Sequence, residues 1–414
     1  MRWRAGTKIS LFLALLLAAS PVPADSAGDP PSIHGLAAKD LTNAELTQAL
    51  EKLQKAYDLF TSDAKLRNQL ADVYAQLGRN QLNQRQYEEA AASFDRAREL
   101  LPDNAGFHLG RGIALYGGKH YDDALFELEQ AKLYGGDEVM VLFFQGRVYY
   151  DTGNLEGALE VWRKGLALDP ANGELSALIE KTGREATVEA RKSKETSSRF
   201  TISYDVATEM RLADEALDIL DTAYNRIGSD FDHYPATRIP VILYTRQEFR
   251  ATTAGPDWSD GIFDGKIRLP IGGIREITPQ LRAVLFHEYT HVVVRELTRG
   301  NCPTWLNEGL AVLEERREYA PHAVKPSKGE PLSLSVLEGS FLSLGTIEAA
   351  LAYWQSFAMV DYLVSTYGWH KVREILVNLG KGLRMETAVS RAFSDYGLDY
   401  DALIQELQKH MQKE

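Results

Sequence analysis

The chain has 414 residues, enough for more than one domain, and its 44% hydrophobic and 10% aromatic content excludes wholesale disorder. A net charge of −12 with no block of lysine or arginine excludes a protein that tracks a phosphate backbone, so no nucleic-acid partner is expected. Cys302 is the only cysteine, which excludes an intramolecular disulfide.

At the start of the chain, Arg2, Arg4 and Lys8 flank an apolar run over 9–19, and Val22-Pro23-Ala24 has the small-residue pattern of a cleavage site. Residues 1–24 are therefore expected to be a signal peptide, with the mature protein periplasmic or secreted. The absence of disulfides favours a periplasm-like compartment. The run is short for a bilayer, so no membrane span is expected in the mature chain. Residues 25–36, rich in Pro, Gly and Ser, are expected to be a flexible leader.

A period of 34 residues follows. Gly78, Gly112 and Gly146 keep it; so do Ala90, Ala124 and Ala158, then Phe94, Leu128 and Trp162, and also Tyr87, Tyr121 and Leu155. Small residues where two helices cross, with a large one four positions after the alanine, match the tetratricopeptide (TPR) signature. This predicts an all-α TPR solenoid over 37–191, with its best copies at 71–104, 105–138 and 139–172. Ala56, Tyr57 and Phe60 mark a degenerate copy one period upstream, and a helix over 174–192 caps the other end. Such arrays hold a protein partner in a concave groove. Phe107, Tyr116, Phe143 and Arg147 are candidates to line it, although aromatic residues at this spacing are more often core.

Residues 192–199 are polar and read as a linker to a second domain over 200–414. In that domain 200–204 alternates like a strand, 209–230 has helical periodicity, 239–244 is again a strand, and glycines punctuate a hairpin over 261–273. A small mixed sheet is expected, with an edge that can bind an extended peptide. The next helix has Thr278 as N-cap, Pro279 as its first residue and Gly300 at its stop. Val292-Val293-Val294 is poor in helix propensity, so burial must hold this segment.

His287 and His291 lie on that helix at i and i+4, on one face, where two imidazoles can share a metal ion. Glu288 between them can serve as the base for a metal-activated water, the H-E-x-x-H arrangement of zinc peptidases. A catalytic zinc takes three protein ligands and keeps one position open; Glu308 can supply the third. Glu314 and Glu315 are fallback ligands, but their run with Arg316 and Arg317 reads more simply as a solvated helix face. Cys302 reads as an apolar thiol, and His322, in the Pro-rich stretch around Pro321, Pro326 and Pro331, as a solvated rim residue that can in principle assist an oxyanion.

His287-Glu288-Tyr289-Thr290-His291 together with Trp305-Leu306-Asn307-Glu308-Gly309 resembles the gluzincin metallopeptidases, most closely the small peptidase-MA-like domains found beside TPR repeats. The resemblance covers about the last 215 residues and implies an α+β metallopeptidase domain with a C-terminal helical part, using Zn2+. It implies His287, His291 and Glu308 as metal ligands and Glu288 as catalytic base. The segment around Ala352-Tyr353-Trp354 is similar to the helix start that carries an oxyanion-stabilising tyrosine in gluzincin aminopeptidases, which implies that role for Tyr353. The aminopeptidases' Gly-x-Met-Glu-Asn motif has no counterpart before the zinc helix, and the His291-to-Glu308 spacing is shorter than theirs. An exported endopeptidase acting on a peptide or protein substrate is therefore the expectation. Its rivals are an aminopeptidase and an envelope TPR adaptor whose peptidase-like domain binds zinc without turnover.

Overall fold

The structure is a computed structural model that describes residues 42–253, 262–263, 265–272, 274, 276–319, 331–341 and 344–411. The expected signal peptide and leader, and His322 with Pro321 and Pro326, lie outside the described residues. The chain divides into two compact units, one ending at Gly136 and the other beginning at Asp137.

Among the described residues the first unit contains five helices: α1 (Asn43–Leu59), α2 (Ala64–Asn83), α3 (Tyr87–Leu100), α4 (Ala105–Gly117) and α5 (Tyr121–Leu133). Their starts are written locally. Thr42 and Glu45 form a capping box, while Asp63 and Asn104 each accept two backbone N–H groups of the turn that follows. The 34-residue period has a simple packing cause. A Cβ on Gly78 would stand 2.9 Å from the Phe94 ring, and one on Gly112 would stand 3.0 Å from Leu128. Only hydrogen leaves room for the large side chain of the next helix. The degenerate upstream copy departs from this plan: Phe60 caps α1 and is 63% exposed instead of filling the place that Phe94 holds. Leu50, Leu53 and Leu70 close that end of the unit. Phe107 belongs to the core at 6% exposure, so it lines no groove, whereas Tyr116 is only partly buried.

The second unit opens with α6 (Glu138–Asp151), α7 (Leu155–Leu168) and α8 (Gly173–Glu189). Gly146 lies against Trp162 as Gly78 does against Phe94, and the Trp162 indole donates to the Phe143 carbonyl at 3.0 Å. Both Phe143 and Arg147 are partly buried. Then follow β1 (Ser193–Thr196), β2 (Phe200–Tyr204), α9 (Val206–Phe231), β3 (Ile239–Thr245), α10 (Arg246–Thr253), β4 (Ile262–Phe263) and β5 (Ile267–Gly272). The sheet order is β1-β2-β3-β5-β4, with β2, β3 and β5 parallel and the two outer strands antiparallel. A mixed sheet with a hairpin was expected and is found.

The expected linker over 192–199 requires correction, because four of its residues are β1, hydrogen-bonded to β2 from Ser193↔Tyr204 to Thr196↔Thr201. Its polar side chains gave no strand pattern; main-chain pairing at a sheet edge makes few demands on them. Lys192 is likewise anchored, its ammonium 3.2 Å from Glu248. Side-chain alternation gives the sheet two apolar faces. Phe200, Ile202, Val241, Leu243, Ile267 and Leu269 join the main core, while Ile242 and Tyr244 pack with Phe249 of α10 and Val188 of α8. The helix that caps the repeats thus also covers the second face of the sheet.

The main core is completed by α11 (Pro279–Thr298), α12 (Thr304–Glu318), the short α13 (Leu334–Leu337), α14 (Thr346–Gly380), α15 (Met385–Ala392) and α16 (Tyr400–Met411). Thr278 caps α11, accepting from the Leu281 N–H, and Pro279 opens the helix. Arg299 and Gly300, both with positive φ, end it. Val292, Val293 and Val294 are all buried, so tertiary packing overrides their weak propensity. The long α14 bends at Gly368, whose φ of 78° is left-handed. Among the described residues no helix is long and apolar enough to cross a membrane.

Candidate metal centre

His287 and His291 project from α11 toward Glu308 of α12. Their rings lie 4.8 Å apart, nearly perpendicular. Glu308 Oε2 is 3.7 Å from His287 Nε2 and 3.6 Å from His291 Nε2, and one ligand atom from each of the three residues falls within 4.8 Å of the others. Tetrahedral bonds of about 2.1 Å would set ligand atoms roughly 3.4 Å apart, close to the two distances from Glu308. The same Glu308 oxygen is buried and, among the described residues, has no hydrogen-bond partner. A carboxylate left this way inside a protein is costly unless something positive meets it. The donor set of two imidazoles and a carboxylate therefore fits a divalent metal ion.

The imidazoles are held at their far nitrogens. His287 Nδ1–H donates to Glu315 Oε2 at 2.9 Å, and His291 Nδ1–H donates to Asn307 Oδ1 at 3.1 Å. Each bond leaves the Nε2 lone pair aimed at the shared position. Sequence reading missed both partners, although Asn307 stands inside the motif and Glu315 lies seven residues after Glu308, on the same side of α12. The fallback ligands take other roles. Glu315 supports a ligand, and Glu314 is fully buried between Arg226 at 3.2 Å and Arg317 at 2.6 Å. The expected solvated face is thus in large part an ion-pair cluster. Arg226 and Arg282 both bond Glu318, and both guanidinium groups lie over the Phe286 ring, at 4.0 and 5.4 Å.

The charges shift accordingly. Burial by itself would lower the His287 pKa, but Glu308 and Glu315 outweigh it and hold it well above the ordinary value. His291 is lowered, chiefly by burial, against the pull of Glu308. Burial would raise the Glu308 carboxyl, yet the two histidines bring it below its usual range. These are the responses of a site gathered around one centre of charge.

Glu288 is 4% exposed, close enough to His287 and Tyr353 to act on the titration of both. Burial first, then the charges of Glu308, Glu288 and Glu315, pushes the Tyr353 hydroxyl well above an ordinary phenol, so it stays protonated as a donor. Tyr353 packs edge-on against Phe341 at 5.3 Å. The structure thus brings His287, His291 and Glu308 together, with Glu288 and Tyr353 within electrostatic reach of them. Gly309 makes this possible, since a Cβ there would run into the Ser356 carbonyl and Val360 of α14. Cys302 is outside the cluster; it packs against the core, and burial pushes its thiol up.

Residues 240–413 match the family model described as Peptidase MA superfamily. Residues 76–138 and 139–172 each match a model described as tetratricopeptide repeat. No curated protein matches the chain.

Proposed function

Residues 240–413 belong to the Peptidase MA superfamily and follow tetratricopeptide repeats, and from that premise we propose that the protein is a zinc-dependent endopeptidase of the cell exterior or periplasm. The observation that carries the reading is the convergence of His287, His291 and Glu308, with a Glu308 oxygen that is buried and, among the described residues, lacks a hydrogen-bond partner. Those three residues would hold the cation. When bound, zinc brings a water's pKa toward neutrality and polarises the scissile carbonyl.

Glu288 takes a proton from the attacking water as its oxygen bonds to the carbonyl carbon, then passes it to the amine that leaves when the C–N bond breaks. Tyr353 donates a hydrogen bond to the carbonyl oxygen as negative charge builds there. Strand β4 at the sheet edge supports an extended substrate, paired through its backbone. The repeats recruit a protein partner or the substrate itself. Endopeptidase action is favoured over aminopeptidase action because no Gly-x-Met-Glu-Asn motif precedes α11. Residues 1–24 support export.

The test is cleavage of casein by the purified protein, with and without a chelator, beside the Glu288→Gln variant. The variant is expected to keep its metal and lose about 10³-fold in turnover. Equal cleavage by parent and variant would remove Glu288 from catalysis; metal binding with no cleavage by the parent would favour a zinc-holding adaptor.

A further inference from the structure

Several arginines of the second unit are paired with carboxylates, and Arg316 is among those that are not. It follows Glu315 on α12, and its guanidinium lies 3.9 Å from the centroid of the Phe357 ring. Phe357 is one turn after Tyr353 on α14, about 6 Å along the helix axis. The two helices that contribute Glu308 and Tyr353 therefore also fix a cation in the same seam. Among the described residues no carboxylate stands within 4.0 Å of Arg316 and none hydrogen-bonds it. By contrast, Arg226, Arg282 and Arg317 each hold one or two acids. The acidic groups that act on Arg316 at longer range are Glu315 and Asp361, and Glu315 is committed to His287.

A guanidinium stacked by its face keeps its N–H donors at its edge, in a fork that matches a carboxylate. Partial burial makes such a contact stronger than it would be in water. Among the acidic groups of the site Arg316 acts on Glu315, where its positive charge adds to that of His287. In an unmodified peptide the only anionic groups are carboxylates.

We propose that Arg316 reads a substrate carboxylate near the scissile bond, so that the site prefers peptides placing an acidic side chain or a free C-terminus there. This rests on the peptidase reading above and names its substrate class. The probes are quenched fluorescent peptides in matched pairs: glutamate against glutamine flanking the cleaved bond, and a free C-terminus against its amide. The acidic member of one pair is expected to be cleaved with a kcat/KM about 10-fold higher, the scale of one charge-assisted hydrogen bond. Whichever pair shows the preference identifies the source of the carboxylate.

In Arg316→Gln, checked for unchanged metal content and Tm, the ratio within that pair is expected to fall to near one. In Arg316→Glu the preference is expected to turn toward lysine. A parent without acid preference, or an Arg316→Gln variant that retains it, overturns the proposal while leaving the peptidase reading intact. If the parent cleaves no peptide at all, the peptidase reading fails by itself. Binding of the same pairs, measured by fluorescence anisotropy, then decides the role of Arg316. Tighter binding of the acidic member that is lost in Arg316→Gln supports it, and equal binding overturns it.

Discussion

At the scale of single residues, the geometry separates groups that would touch a metal from groups that would aim it. His287, His291 and Glu308 converge, while Glu315 and Asn307 fix the two imidazoles from behind. Removing the Glu315 carboxylate frees the His287 ring to rotate, which costs affinity without removing a ligand. Glu315→Ala is expected to weaken zinc binding roughly 10- to 100-fold, measured by competition with a chromophoric chelator, while the fold is kept. Unchanged affinity would show that the His287–Glu315 bond does no aiming. The sequence displayed the ligands because their chemistry dictates spacing on a helix. It concealed Glu315 because a run of two glutamates and two arginines has the same composition whether solvated or folded inward.

At the scale of elements, α12 is held from two sides. On the α14 side the contact is close: a Cβ at Gly309 would overlap the Ser356 carbonyl, which is backbone and cannot rotate away. Gly309→Ala is expected to destabilise the domain by about 1–3 kcal/mol and to lower metal content, as thermal unfolding and metal analysis would reveal. On the other side Glu318 joins α12 to Arg282 of α11 and Arg226 of α9. Burial alone would raise the Glu318 carboxyl, but the two arginines bring it below its ordinary value. With the folded pKa depressed, the stability this group contributes is fully present above the ordinary carboxylate pKa. It is lost as pH falls through the folded value. Glu318→Gln is therefore expected to be less stable than the parent at neutral pH, with the gap narrowing in acid, when denaturant midpoints are compared across pH.

At the scale of the molecule, the third repeat and its capping helix belong with the sheet and not with the earlier repeats. Arg268 of β5, 1% exposed, bonds Tyr244 at 2.7 Å and Tyr150 of α6 at 3.1 Å, and stands 3.0 Å from Glu185 of α8. Buried Lys266 lies 3.6 Å from both Glu185 and Glu189. A fragment cut at the boundary the sequence suggests, 200–414, would strand these two cations and uncover Ile242, Tyr244 and Phe249. Breaking a buried pair costs about 3–5 kcal/mol. The fragment 137–414 is expected to unfold cooperatively on heating, and 200–414 to be at least about 3 kcal/mol less stable or to lack a transition. Equal stability of the two would show that α8 merely rests on the sheet.

The sequence by itself determined the repeat period, the mixed sheet, the limits of the helix that carries the two histidines and the identity of the converging residues. Each follows from a local rule: glycine where helices touch, alternation in strands, caps at helix ends, and two histidines one turn apart. Only the tertiary structure decided that four residues of a polar linker are a strand and that the cap of the repeats is also a wall of the second domain. It alone decided that Glu314 and Glu315 turn inward. Those outcomes depend on partners distant in the chain, such as Arg226 for Glu314 and Arg268 for Glu185. The burial of a charge is legible only once the opposite charge that meets it is known.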